Sequence, residues 1–377
     1  MQTLVRPAAF DIVLLSMPLV GDTTSAGKHT RLLLVRVRDA SGNQGWGECP
    51  VSSRNGDLDI ALTRDALRHD ILPAFASGAF DDLQSVADSS QALLRDLPVS
   101  SYRAHCGAEL AMLDLMGRRQ MKSSGELIGP LRRQAVRYAG RIVHGADESV
   151  KEQAIKIRRQ GARQLTLEIG ADPDAGHRHL EIVRQILGDV ELRISVNGAW
   201  SADTAIRELK AMAHWRLAGV EQPVAAGDLE GMAAVTAAGL VPVIARESVA
   251  STENVLRLIA ERACDVISLS ISRCGGLVNA ARLHRIARDA GLGCQLEAEG
   301  IDAGLLSAAG RHLATRAEGM NYCECAVPGS RLAESLTRPS MIVSPDVPSV
   351  ALRQSGLGPR VLAELVDRFA TQRVSFA

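Results

Sequence analysis

The sequence predicts an α/β protein: a (β/α)8-type TIM barrel preceded by a small α+β domain. Two observations define the barrel. Short apolar runs begin at Val136, Leu165, Leu192, Gly219, Pro242, Val266, Cys294 and Tyr322. Helical stretches such as SVKEQAIKIRRQ, AGHRHLEIVRQIL and SADTAIRELKAMAHW separate them. Eight strand–helix repeats of about 22 to 29 residues are what a closed parallel barrel requires, and its chemistry sits where the strands end. A third observation sets the N-terminal part aside. There RLLLVRVR (31–38) alternates polar and apolar residues, runs through a DASGNQG turn and continues as GWGECP. That is a strand, a Gly-containing hairpin turn and a second strand. Helical spacing follows over 57–97 and 104–118. The expected organisation is an α+β cap over 1–130, a barrel over 131–340, and a segment over 341–377. In that last segment the helix of SGLGPRVLAELVDRFA returns to the cap.

Composition narrows the function classes. Of 377 residues 46% are apolar, enough for a large core. Lys and Arg number 43 against 43 Asp and Glu, and aromatic residues make up 3%, so no basic, stacking surface for nucleic acid is expected. The first residues, MQTLVRPAAFDIVLLSMPL, lack the basic n-region and cleavage site of a leader. No window approaches the roughly 18 to 20 apolar residues that span a bilayer. Seven cysteines, at 49, 106, 264, 274, 294, 323 and 325, form an odd and scattered set. The expectation is a cytoplasmic protein with reduced, buried thiols, not a disulfide framework. Cys323-x-Cys325 alone is too few ligands for a metal.

Four motifs, VNGAW (196–200), GVEQP (219–223), ARES (245–248) and SISRCGG (270–276), lie in the order and spacing of strand ends. With GWGECP, AELAMLDLMGRR and SGLG, the chain resembles the enolase superfamily, in its mandelate racemase/muconate-lactonizing branch, over almost its whole length. The resemblance implies a (β/α)7β variant of the barrel, a capping domain whose loops close over a small carboxylate, and a homo-oligomer. It also implies proton abstraction beside a carboxylate. In the family a magnesium ion held by three acidic residues stabilises the resulting enediolate, and lysines or a histidine move the proton.

Most of those positions carry other residues here. LTLEIG (165–170) puts Thr166 and Glu168 where a Lys-x-Lys would stand, and Ser195, two residues before Asn197, takes the place of an aspartate. Glu221 matches a metal ligand, Arg246-Glu247-Ser248 replaces Asp-Glu-Ser, and Ser270 stands where a lysine would be. One carboxylate beside an arginine is a poor magnesium site, so no metal and no cofactor is expected. The expectation is an Arg246–Glu221 bidentate ion pair in the ion's stead, against an Arg246 that reaches out to solvent. His144, in RIVHG, is either a proton carrier or a structural histidine. Glu297 and Glu299, in QLEAEG, share a face as acid–base candidates or solvated charges. Lys28, His29 and Arg31 follow TTSAG, where the family's lid touches its substrate; they bind an anion or are ordinary surface charge.

Three functions follow. One is a metal-independent isomerase, lyase or cyclase in which Arg246 supplies fixed positive charge. Glu168 then acts as acid or base while Thr166, Ser195, Asn197 and Ser270 orient a small carboxylate. The second is a pseudoenzyme that binds a small acid or a protein partner. The third is a racemase or cycloisomerase with an atypical metal set such as Glu221 and Glu247; adjacent strand residues face opposite ways, so that set requires the strand to have ended first.

Overall fold

The computed structural model describes residues 4–20, 29–50, 56–324, 331–345 and 347–376. The alternating segment forms the strand His29–Asp39, which turns back antiparallel as Gln44–Cys49. Asp39 fixes that turn by accepting from the amides of Ser41 and Asn43, both at 2.9 Å. Gly42 supplies the left-handed φ of 81° there.

One strand has no counterpart in the sequence-based expectation. Pro7–Val20 lies between the hairpin and the C-terminal strand Ala370–Phe376 and is antiparallel to both neighbours. Phe10 and Ile12 are buried on one side of it and Val13, Leu15 and Met17 on the other. A strand covered on both faces loses its period-two signature and reads as an unpatterned apolar run. Near the C-terminus the helix Ala363–Phe369 leads into the strand Ala370–Phe376, which pairs antiparallel with Pro7–Val20.

The helix Tyr102–Gln120 lies against Gln44–Cys49 at backbone distance. A β-carbon on Gly47 would sit 1.9 Å from the Gly107 carbonyl oxygen, and one on Gly107 would sit 2.2 Å from Cys49 Sγ. The glycines of GWGEC and HCGAEL are what permit this approach.

Eight parallel strands form the second sheet, each paired with the next in sequence: Gly140–Ile142, Gln164–Glu168, Glu191–Ser195, Gly219–Glu221, Val243–Ala245, Val266–Leu269, Gly293–Leu296 and Met320–Cys323. A parallel bridge between Ala139 and Glu324, with the Ala139 amide 2.7 Å from the Cys323 carbonyl, joins the last strand to the first. The first strand starts at Gly140 and not at Val136. Ala135–Val136 instead pairs antiparallel with Ser349–Val350, because the C-terminal segment claims that edge. Among the described residues no helix follows the eighth strand until Ala363, the (β/α)7β arrangement.

The two parts are joined through helix starts. Helices Leu277–Asp289 and Leu305–Arg316, which follow the sixth and seventh barrel strands, begin at Gly276 and Gly304 with no side-chain cap of their own. Their free amides are satisfied from the cap domain. Glu109, on the helix Tyr102–Gln120, accepts from the Leu277 and Val278 amides, the latter at 3.2 Å. Glu48, on the hairpin, accepts from Ala303 at 2.6 Å and from Leu305 and Leu306. Both carboxylates are wholly buried. Each thus supplies, from another domain, the acceptor that an N-terminal turn otherwise takes from its own cap residue.

Glu109→Ala leaves these amides and the Ser90 hydroxyl without their acceptor and should cost about 2 kcal/mol in urea unfolding. Burial, only partly offset by the Ser90 and backbone bonds, raises Glu109 from 4.5 to about 7. The folded chain then keeps a proton that the unfolded chain releases, so stability falls as pH rises across that interval. Glu109→Gln should flatten that part of the pH–stability curve.

Candidate active site

At the C-terminal ends of the barrel strands, charged side chains are assembled into two linked clusters. The first is built on Arg141, in the first strand, whose side chain is 5% exposed. Its Nε and Nη2 donate to Glu168 Oε1 at 3.0 and 2.8 Å. Its Nη1 donates to both oxygens of Glu324, at 2.9 and 3.0 Å, and lies 3.7 Å from Glu221 Oε2. Thr166 Oγ1 donates to Glu324 at 2.7 Å and lies 2.8 Å from the Tyr322 hydroxyl. Glu221 Oε1 accepts from Gln295 Nε2. Arg193 stacks 3.7 Å from the centre of the Tyr322 ring and donates to Gln295. Burial would suppress the Arg141 charge, but Glu324, Glu221 and Glu168 outweigh it and hold the guanidinium firmly protonated. Glu221 moves the other way: burial and the neighbouring Glu324 raise it, against the pull of Arg141 and Arg246.

The second cluster is built on Glu297, at the end of the seventh strand. One of its oxygens accepts from Arg246 Nη2 at 2.6 Å, and the other takes Arg273. Arg246 Nη1 reaches Glu247 at 2.5 Å and Asn197 at 3.2 Å. Burial works to raise Glu297, but Arg273, Arg246 and Arg141 together hold its carboxyl below the usual range. Beside it, Ser270 and Ser272 donate to Glu299 at 3.0 and 2.5 Å, and the Ser272 amide donates at 3.2 Å. Glu299 is nevertheless raised, first by burial and then by the charge of Glu297.

The expected Arg246–Glu221 ion pair is not formed. Arg246 turns to Glu297 and Glu247, two carboxylates that it meets directly, while Glu221 is taken by Gln295 and lies nearer to Arg141. The fifth strand ends at Ala245, so Arg246 and Glu247 occupy a turn and can face each other. Thr166, Glu168, Ser195, Asn197, Glu221, Arg246, Glu247, Ser270 and Glu299 are brought together, with Ser195 donating to Asn197 at 3.2 Å. His144 stands apart: it is exposed and packs its ring 5.5 Å from that of His179. His29 is exposed on the hairpin opposite Pro18, and Arg31 pairs with Asp57. Lys28 lies outside the described residues.

Arg141, Gln295, Tyr322 and Glu324 were not anticipated. Their signal is weak: each is one polar residue on the inward face of a short strand. The YCEC run draws attention to its thiols, not to the glutamate between them. Six cysteines are buried and unpaired, and Cys325 lies outside the described residues.

A cavity of about 380 Å³ opens beside the second cluster. Ile271, Leu296, Leu332, Leu336 and Met341 give it apolar walls, and Glu297, Glu299 and Glu324 line it as well. That combination of apolar lining and a few polar groups suits a small organic ligand. The donor set does not suit a hard divalent cation. At the three family ligand positions stand a hydroxyl (Ser195), one carboxylate (Glu221) and a guanidinium (Arg246), with a second guanidinium 3.7 Å from that carboxylate. Among the described residues no three His, Cys, Asp or Glu side chains group as metal ligands.

The fold and the position of these clusters define a capped α/β barrel with its site at the strand ends. The family model for the enolase C-terminal domain-like fold matches residues 149–361, more than half of the chain. The L-Ala-D/L-Glu epimerase of Clostridium acetobutylicum is 27% identical over 322 residues, 81% of this chain and 88% of the epimerase. Muconate cycloisomerase 1 of Rhodococcus opacus is 25% identical over 320 residues, 83% and 84% of the two chains. The crystal structure of N-succinyl Arg/Lys racemase from Bacillus cereus superposes with a TM-score of 0.85 at 20% identity, covering 100% of each chain. The chain belongs to the enolase superfamily, in its racemase, epimerase and cycloisomerase branch. No helix among the described residues is long and apolar enough to cross a membrane.

Glu297→Gln leaves Arg246 and Arg273 with a neutral partner in a buried site and should cost about 3 kcal/mol near pH 7. Because the folded pKa of Glu297 lies below 4.5, its contribution is complete above that value and is lost as pH falls through the folded one. Chemical denaturation of both proteins across acid pH should show the two curves converging.

Proposed function

We propose that this chain is a metal-independent isomerase or lyase acting on a small carboxylate-bearing molecule held at the barrel mouth. The observation that carries the proposal is the fixed pair of guanidiniums, Arg246 and Arg273, each paired with Glu297, whose carboxylate in turn lines the cavity. Their positive charge is preorganised and largely dehydrated; Glu297 offsets part of it, and the remainder is what stabilises an anion forming in the cavity. Glu168, the most exposed carboxylate of the Arg141 cluster at 21%, is the group assigned to proton transfer. A guanidinium carries one charge where a magnesium ion carries two. The substrate is therefore one whose carbon acid is stronger than that of a simple carboxylate, or one that loses a leaving group as the proton departs. The apolar walls favour a ligand with a hydrocarbon body.

One observation favours a non-catalytic binding role instead: the Nη donors of Arg141 and Arg246 already meet internal carboxylates. The atypical metal set of Glu221 and Glu247 finds less support, since Glu247 is engaged by Arg246.

Proton NMR in D2O separates the two main readings. Chelator-treated protein is expected to exchange the proton beside the carboxylate of an activated acid, and Glu168→Gln should slow this at least ~100-fold, the scale of a positioned acid or base. Saturable binding without any exchange across a panel of acids would favour the binding role. Exchange that appears only after magnesium is added would overturn the metal-independent proposal.

A further inference from the structure

We infer that Arg141 is the resident cation of this site. Its guanidinium does the charge-neutralising work of a divalent ion, and its removal turns the surrounding carboxylates into a site for one. The inference rests on the metal-independent proposal and extends it to a residue outside the family's ligand positions. Three carboxylates from three strands converge on the one guanidinium: Glu168 and Glu324 by hydrogen bonds of 2.8 to 3.0 Å, and Glu221 at 3.7 Å. Glu221 and Glu324 are 0% and 3% exposed, so water does little to screen them. Glu221 Oε2, the oxygen turned toward Arg141, has no hydrogen-bond partner. Such a cluster is tolerable only around a positive charge. The arginine is fixed in the chain, points inward from the first strand, and is held by Nε and both Nη atoms at once. A hydrated divalent cation would have to enter beside a permanent charge of its own sign.

Cutting the side chain back to alanine removes that charge and opens room for an ion with some of its water, among oxygens that are the hard donors manganese prefers. Manganese binding by electron paramagnetic resonance is the readout, and it needs no substrate. The unaltered chain and Arg141→Lys should bind no Mn²⁺ up to about 1 mM, while Arg141→Ala should bind one equivalent at least ~100-fold more tightly. If Arg141→Ala folds only in the presence of Mn²⁺, with a melting temperature that climbs with its concentration, the inference is equally supported. Should Arg141→Ala not fold at all, Arg141→Ala/Glu324→Gln carries one charge fewer and is expected to fold and bind the ion through Glu168 and Glu221. A folded Arg141→Ala, or that double variant, with no more affinity for Mn²⁺ than the unaltered chain overturns the inference alone. Stoichiometric binding by the unaltered chain, lost in Glu221→Gln, overturns the metal-independent proposal and this inference with it.

Discussion

Burying Arg141 among Glu168, Glu221 and Glu324 is the constraint on which the barrel mouth is organised. Burying charge here costs several kcal/mol of hydration per ion, and removing the arginine would leave the carboxylates around it uncompensated. Compensation comes from geometry: three nitrogens of one planar group engage two carboxylates from strands on either side of the first. Thr166 and Tyr322 fill remaining hydrogen-bonding capacity around Glu324, and Gln295 fills that of Glu221. The effect reaches the second cluster, since Arg141 also contributes to holding Glu297 ionised. The two clusters are thus electrostatically linked, and an exchange in one is felt in the other.

That mouth is steadied from outside by the cap domain. The helices after the sixth and seventh strands start at glycines, which fit a positive φ but offer no side chain to their own amides. Gly276 has a second reason to be glycine: a β-carbon there would lie 2.2 Å from Glu109 Oε1. Local capping is thus given up so that a carboxylate of the other domain can enter. The price is a buried acid whose ionisation is disfavoured; the return is a rigid junction directly behind Ser270, Arg273, Glu297 and Glu299. Glycines that look like loop residues in the sequence are in fact docking points between domains.

Much of the fold was legible because its signals are local. A hairpin with a glycine turn, helices with one apolar face and short apolar runs at a regular interval each depend on a few neighbouring residues. The two errors of placement have different origins, competition for an edge in one case and burial on both faces in the other. Val136 is apolar and extended, as a barrel strand should be, but it pairs with the distant Ser349–Val350 pair. The first strand of the chain is extended too, yet it is hidden by being covered on both faces. At the site, the residue types and their convergence were legible while their partners were not. The spacing pairs Arg246 with Glu221 on the neighbouring strand, whereas its guanidinium meets Glu247 and Glu297. Choosing among several acids for one arginine is a matter of ångströms and rotamers, which spacing along the chain does not encode.

The cavity shares its acidic wall with both clusters, and this shapes how a ligand would meet the charge. Glu297 offers both oxygens to arginines, so an entering anion faces the guanidiniums only across a carboxylate that already screens them. Glu299 differs. It carries no arginine, its burial favours the protonated form, and two serine hydroxyls already hold its oxygens in place. On the proposed reading, Glu297 stands between a ligand anion and Arg246 and Arg273, so these guanidiniums act on it through space. The serine donors at Glu299 meanwhile offset part of the burial and the Glu297 charge that disfavour its ionisation.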